Sequence, residues 1–519
     1  MTSWLRWELG ASLTFVVLAG TSASLANCSS PAATSEVDAG YTRPPTPAAW
    51  DRTVTRPDDS TATSSRAACK YARGALPAET LGAGTPVDKG IPIDTVVVLV
   101  MENHSFDNYF GQLGKYLGRT DIESPPPGAS NPTVVGQDPD AGVADGGGAD
   151  AGGDGGVAPT SYPYAHDPHL CTLDTNHEWR GSHAEYDDGK MDGFVQANEG
   201  WGKLALGADP SFKSGARAMY YYDQNDLPFY YDLAKSFATA DHYHCSILGP
   251  TWPNRMYVYA ATSFGKTGNT FPDLGAYPFP DNDASILDEL EKRHVDWRMF
   301  ADTRPSAALV HGTALDTRYG PTRTRSVADF ISEAAAGTLP AMSFVDPNTA
   351  DEGPQGEDEH PPAQIQIGQK FTSNIVHAVM ASPQWAHIAV FITWDEHGGY
   401  YDHVPPPAAC PPDGTAPVLE SGDTTKGGFD RYGVRVPFIL VSPYAKKGYV
   451  GHTTYDHTSI TRFIEAKFKV PALSGRDANA DALMDLFDFQ NPPWSKPPTI
   501  AEPTVNPTEV DYCTANFPY

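Results

Sequence analysis

Three short stretches of this chain gather oxygen donors, imidazoles and one well-placed hydroxyl. In "TWDEHGGYYDHVPPP", Trp394 is followed by Asp395, Glu396 and His397 and then by the pair Gly398 and Gly399. In "MENHSFDNYFG", Met101 is followed by Glu102, Asn103 and His104. Carboxylate and amide oxygens are hard donors, the kind that hold a divalent cation. The third stretch, "GPTWPNR", sets Thr251 in a turn ahead of a helical pattern, with Asn254 three residues later. A hydroxyl coordinated to such an ion gives up its proton more readily and becomes a nucleophile, and an amide N–H can meet a developing oxyanion. Each stretch alone also has a plainer reading as a helix cap or a turn. Two oxygen-rich clusters at equivalent places in the chain favour the metal.

Such residues need elements that bring them together. Residues Ile93 to Val100, Pro340 to Asp346, His387 to Trp394 and Val436 to Pro443 are continuous apolar, β-branched runs, the pattern of strands buried on both faces. Between them, "ASILDELEKRH" puts Ile286, Leu287 and Leu290 on one helical stripe, and "TSITRFIEAKF" does the same with Ile460, Phe463, Ile464 and Phe468 behind an N-cap at Asp456. The alternation predicts an α/β fold, a large, mostly parallel central sheet with helices on both faces. Ligands of such sheets bind beyond the carboxyl ends of the strands, which is where Glu102, Asn103, Asp395 and Glu396 fall. Gly398 and Gly399 are expected to turn the backbone tightly and return "DHV" towards the pocket.

Composition narrows the partners. A formal net charge of −28 over 519 residues argues against nucleic acid and against an anionic membrane surface, both of which bind through Lys and Arg. Residues 1–26, with the apolar core "LTFVVLAG" and a small-residue site ending at Ala26, predict a signal peptide and export from a bacterial cytoplasm, to a secreted or periplasmic location. Cys28 stands where a lipid anchor would be attached, although Asn27 fits that signal poorly, so lipid-anchored or peripheral membrane association stays open. Export makes disulfides the expectation for the six cysteines, with one thiol left over if Cys28 is lipidated and up to three bridges otherwise. Residues 27–89 read as a Pro/Ser/Thr-rich tether and irregular lead-in, 90–519 as the catalytic domain, and 138–158 as a flexible Asp/Gly/Ala-rich insertion within it.

Seven motifs, "VVLVMENHSFDNYFG", "DTNHEW" with "GKMDGF", "LPFYYDLAKSFATADHYHCSILGPTWPNRMY", "DEHPP", "TWDEHGGYYDHVPPP", "RVPFILVSPYAKKGYV" and "YDHTSITRFIE", follow one another between about Ile91 and Val470. Their order and spacing resemble the bacterial phosphoesterase family, which includes phosphatidylcholine-hydrolysing phospholipases C and acid phosphatases and belongs to the alkaline-phosphatase-like superfamily. The resemblance implies one divalent metal ion held by Glu102, Asn103, Asp395, Glu396 and Thr251, with Thr251 as nucleophile. It implies that Asn254 helps hold the phosphoryl oxygens. It also implies that His177 and His360 line the phosphate site as transition-state stabilisers or leaving-group acids, with His403 and His457 as further candidates. Thr251 would attack phosphorus and water would then cleave the phosphothreonine, two displacements that retain configuration.

Departures from the family pattern carry expectations of their own. His104 replaces an Arg common at this position, which keeps a cation there only when the imidazole is protonated. No long C-terminal lipid-binding module is expected, since little chain follows Val470. Tyr220 to Tyr222, Phe229 to Tyr231 and Tyr400 with Tyr401 could cage a choline headgroup, but core packing is the stronger expectation among 10 Trp, 25 Tyr and 22 Phe. The leading function is a phospholipase C-type phosphodiesterase acting on a phosphate-ester substrate such as a phospholipid. A broad acid phosphatase is the alternative. A catalytically silent surface binding protein on the same scaffold is the alternative of another class.

Overall fold

The four apolar runs fold as strands, joined by four shorter ones, in a computed structural model that describes residues 50–134, 161–204, 208–270, 285–311, 320–348 and 353–517. The expected signal peptide at 1–26, Cys28 and the insertion at 138–158 lie outside the described residues. The strands are β1 (Thr95–Met101), β2 (Ala238–Ala240), β3 (Trp297–Phe300), β4 (Thr324–Arg325), β5 (Met342–Val345), β6 (Ile388–Trp394), β7 (Phe438–Val441) and β8 (Tyr449–Gly451). They form one 8-stranded sheet in the order β8-β2-β7-β6-β1-β5-β3-β4. All neighbouring pairs are parallel except those of β7, which runs antiparallel to β6 and β2. The sheet is therefore mostly parallel, as expected.

Eight helices matter for the site or its support: α1 (Asp59–Ala67), α2 (Phe106–Phe110), α3 (Trp179–Tyr186), α4 (Thr251–Ala260), α5 (Ile286–Lys292), α6 (Ile365–Ala381), α7 (His457–Phe468) and α8 (Pro507–Asn516). The two helical patterns became α5 and α7, and Asp456 is the N-cap of α7. Every residue of β1 and β6 is buried, because both faces of the sheet are covered. On β6, Phe391 packs its ring 5.0 Å from Phe463 of α7. Trp394, three residues on and so on the other face, meets Tyr230 at 5.1 Å, and the Tyr230 hydroxyl bonds Thr372 of α6. Among the described residues no helix is long and apolar enough to cross a membrane.

Residues 50–89 are more ordered than the irregular lead-in their composition suggested. Asp58 caps α1 by accepting from Thr61 N at 2.8 Å, and Arg66 reaches Thr80 O at 2.8 Å. A disulfide from Cys69 to Cys410 ties this segment to the body of the fold, and a second joins Cys171 to Cys513 of α8. The helix "DSTATSSRA" has no apolar stripe, so nothing periodic announced it. Cys245 keeps a buried thiol. The aromatic runs are largely core: Tyr222, Phe229, Tyr230, Tyr231, Tyr400 and Tyr401 are all buried.

Candidate active site

Parallel pairing of β1 with β6 sets Met101 opposite Trp394, and Asp395 N donates to Met101 O at 3.0 Å one step further. Glu102 and Asn103 therefore leave the sheet beside Asp395 and Glu396. Asn103 takes φ +63°, a left-handed conformation uncommon for a residue with a Cβ. Gly398 and Gly399 take φ +66° and +73°, and a Cβ on Gly398 would lie 2.1 Å from Asn103 O. Only glycine lets the turn after Glu396 press against Asn103, and Gly399 likewise leaves room for Asn176. Thr175 seals that approach with a hydrogen bond from its hydroxyl to Gly398 O.

Arg255, which sequence reasoning passed over, connects the nucleophile candidate to this cluster. Its Nε donates to Asp395 Oδ2 at 3.0 Å and its Nη2 to Glu102 Oε1 at 2.9 Å, while Nη1 lies 3.8 Å from Asp346 beyond β5. Thr251 is four residues earlier on α4, hence on the same face and about 6 Å along the axis. The Thr251 hydroxyl makes no hydrogen bond to another described residue, and the residue is 6% exposed. That i, i+4 spacing on a helix was the signal available for Arg255.

Asn254 is placed differently from expectation. Its Nδ2 donates to Gly249 O at 2.8 Å and Pro250 O at 3.1 Å, and its Oδ1 accepts from Ile247 N at 3.0 Å. Both ends of the amide are spent on the loop that presents Thr251, so it has no donor left for an oxyanion. Buried backbone groups need partners, and this loop takes them from Asn254.

The amide of Asn103 tests whether a cation fits. Its Oδ1 lies 2.6 Å from Glu396 Oε1 and 3.2 Å from Asp395 Oδ1. Three oxygens facing one another so closely repel unless something positive lies between them. Neighbouring oxygens around a six-coordinate ion with bonds of about 2.1 Å are about 3.0 Å apart, so the spacing suits one. Turned over, the amide donates its N–H to both carboxylates and accepts from His360 Nε2 at 3.1 Å, which fills the gap with a proton instead. Glu102 belongs to this end of the sheet, but its Oε1 is held by Arg255. Glu102, Asp395 and Glu396 are not among the three sets of described His, Cys, Asp and Glu side chains whose ligand atoms all lie within 4.8 Å of one another. Glu102 Oε2 has no hydrogen bond to another described residue. Glu102, Asp346 and Asp395 share one buried guanidinium, that of Arg255, a local excess of negative charge that favours a divalent cation. The donors fit.

Histidines border the cluster. His177 donates from Nδ1 to Thr175 O at 2.8 Å and turns Nε2 to Asn103 Nδ2 at 3.4 Å. His360 donates from Nδ1 to Pro361 O at 2.6 Å. Burial works against charge on His360, but Asp174, Glu102 and Asp358 outweigh it and push its pKa up to about 9. His177 is likewise raised, burial being outweighed by Glu396 and Asp174. His397 is held between Glu185 at 2.7 Å and Glu396 at 3.3 Å, which overcome burial and push it up to about 9.

The remaining candidates stand back from the centre. His457 bonds Asp395 O at 2.7 Å, and burial lowers its pKa to about 4. His403 joins Asp107 and Asp402, one of three sets with ligand atoms within 4.8 Å of one another, but Arg435 already binds both acids at 2.8 and 2.9 Å. The other sets are His166–Asp223–Asp226 and Asp174–His177–His360. His104 does not replace an Arg cation in the pocket. It is fully buried between the rings of Tyr109 and Tyr400 and hydrogen-bonded to Asn108 and Glu359 O, and burial lowers its pKa to about 3.

Glu359, beside His360, is a second residue that sequence reasoning missed. It takes φ +75° and accepts from Tyr109 at 2.8 Å, Tyr230 at 2.6 Å and Trp394 at 2.8 Å. No sequence pattern announced three aromatic donors scattered over the chain.

Known proteins bear on this geometry. The model of the phosphoesterase family matches residues 93–471. Phospholipase C B of Mycobacterium tuberculosis (strain ATCC 25618 / H37Rv) is 29% identical over 463 residues, covering 82% of this chain and 83% of its own. Non-specific phospholipase C6 of Arabidopsis thaliana is 30% identical over 426 residues, covering 79% of this chain and 75% of its own. A solved protein in the alkaline phosphatase superfamily from Vibrio parahaemolyticus aligns over 51% of this chain and 65% of its own, with a TM-score of 0.33 and 8% identity. With the family's model covering both strand ends, the Thr251 turn and the histidine loops, the chain belongs to the phosphoesterase family, enzymes that hydrolyse phosphoric ester bonds.

Proposed function

We propose that this protein is an exported, metal-dependent phospholipase C-type phosphodiesterase that works through Thr251. The observation that carries the reading is the convergence of Asn103, Asp395 and Glu396 oxygens at adjacent strand ends, tied through Arg255 to the helix that opens with Thr251. A divalent ion, held by those residues with Glu102 and Thr251, would favour the ionised hydroxyl and offset charge on the phosphoryl oxygens. Thr251 Oγ1 attacks phosphorus, its bond forming as the bond to the alcohol oxygen breaks. Water then attacks the phosphothreonine, passing a proton to the histidine that protonated the alcohol, as the bond from phosphorus to Thr251 Oγ1 breaks and frees the threonine oxygen. His177 and His360, cationic in their acidic surroundings, lie against the phosphoryl oxygens and the departing alkoxide, and His360 supplies the proton. Asn254 holds the loop that aims Thr251.

The phospholipases C among the relatives point to a phospholipid as substrate. Export through the segment 1–26, with or without a lipid at Cys28, would deliver the enzyme to such lipids. The test compares phosphatidylcholine with p-nitrophenyl phosphate, before and after chelation. Diacylglycerol and phosphocholine, lost on chelation, are expected. Rapid release of inorganic phosphate with the lipid untouched would make the chain a phosphatase, and inverted configuration on a chiral phosphodiester would end the covalent route.

A further inference from the structure

Each carboxylate at the proposed ion site has one oxygen tied to a cationic side chain. Arg255 claims Asp395 Oδ2 at 3.0 Å and Glu102 Oε1 at 2.9 Å. Glu396 Oε2 accepts from Gly398 N at 2.7 Å and lies 3.3 Å from His397 Nδ1, whose ring is fixed from the other side by Glu185 at 2.7 Å. What no cationic side chain holds is a single oxygen each: Asp395 Oδ1, which accepts only backbone N–H from Glu396 at 2.8 Å and Asn103 at 3.2 Å, Glu396 Oε1, Asn103 Oδ1 and Glu102 Oε2, with the Thr251 hydroxyl as a fifth. None of the three acids can bind an ion through both oxygens without giving up a buried partner.

We propose that Arg255 and His397 select the ion, admitting one of Mg2+ or Mn2+ size and rejecting Ca2+. This rests on the reading of the strand ends as a metal site. Ca2+ takes six to eight oxygens at longer bonds and commonly gathers them through bidentate carboxylates. Mg2+ and Mn2+ are content with six single oxygens. Five side-chain oxygens and one phosphoryl oxygen of the substrate make six. A buried guanidinium is costly to strip of its carboxylates, and His397 is a buried imidazole between two acids, so neither yields its oxygen easily. Arg255 and His397 are positioning residues here, since they act through the acids.

Direct binding tests this without turnover. Chelator-stripped protein is titrated calorimetrically with Mn2+ and with Ca2+, and bound Mn2+ is followed by its electron paramagnetic resonance. The unmodified chain is expected to bind Mn2+ at least about tenfold more tightly than Ca2+, a difference of about 1.4 kcal/mol. In Arg255→Lys, whose ammonium cannot span both acids as the fork does, the preference should narrow several-fold through tighter Ca2+ binding. His397→Gln should shift it the same way through Glu396. Equal Ca2+ and Mn2+ affinity in the unmodified chain overturns the selection while leaving the metal site standing. Binding of neither ion overturns both. Because the comparison on the unmodified chain decides, an unfolded variant does not rescue the idea.

Discussion

Glu359 is the residue where burial, chemistry and pH meet most cleanly, and Glu359→Gln is the perturbation to make. Its carboxyl is fully buried, with three neutral donors and no cation, and burial pushes its pKa from 4.5 up to about 8, against the hydrogen bonds of Tyr230, Trp394 and Tyr109. The neutral acid has a partner: its proton can go to the Tyr230 oxygen while that hydroxyl donates to Thr372 at 3.0 Å. Below pH 4.5 both folded and unfolded chains hold the proton and the group contributes no pH dependence. Between 4.5 and about 8 the folded chain keeps a proton that the unfolded chain has lost, so stability falls by about 1.4 kcal/mol per pH unit. Above 8 both are ionised and the loss, at most about 5 kcal/mol, stays constant. Gln keeps the shape and the acceptor oxygen but does not titrate. Urea unfolding across this range, read by far-ultraviolet circular dichroism, should show a shallower loss of stability in the variant. The variant should be the more stable chain at pH 8. Parallel pH profiles for the two proteins would refute the reasoning, because a carboxylate that is already charged at pH 6 has no proton to lose.

Three further outcomes bear on the site. Thr251→Ala should reduce turnover on the order of 10³-fold or more while metal affinity falls by no more than about tenfold; retained turnover would remove Thr251 as nucleophile. Asn254→Ala should lower stability by about 1–3 kcal/mol, because it strands the loop's buried backbone groups, and thermal unfolding should register that loss alongside reduced turnover. A fall in turnover at unchanged stability would instead return Asn254 to the phosphoryl group. Gly398→Ala should weaken metal binding and cost about 1–3 kcal/mol, since the new methyl meets Asn103 O in a left-handed conformation. Gly414→Ala, with nothing within 4 Å of the new Cβ, is the control and should change neither calorimetric affinity nor melting.

By itself the sequence determined four of the eight strands, the long apolar ones, and which polar residues stand at their carboxyl ends. Unbroken apolar runs such as Ile388–Trp394 have one stable fate, burial on both faces of a sheet, and the acids after them must then emerge at its edge. Asp456 as a cap, the glycine turn at 398–399 and the aromatic core were legible for the same reason, since each comes from local backbone or side-chain chemistry. Only the tertiary structure decided that β6 lies next to β1 with Met101 opposite Trp394, the pairing that brings Asn103 within reach of Glu396. It alone spent Asn254 on its own loop, buried His104 between two tyrosines, gave Arg255 to Glu102 and Asp395, and gathered Tyr109, Tyr230 and Trp394 around Glu359. Those partners come from distant parts of the chain. No local period or spacing encodes them, because strand order and register are settled by how whole faces bury against one another.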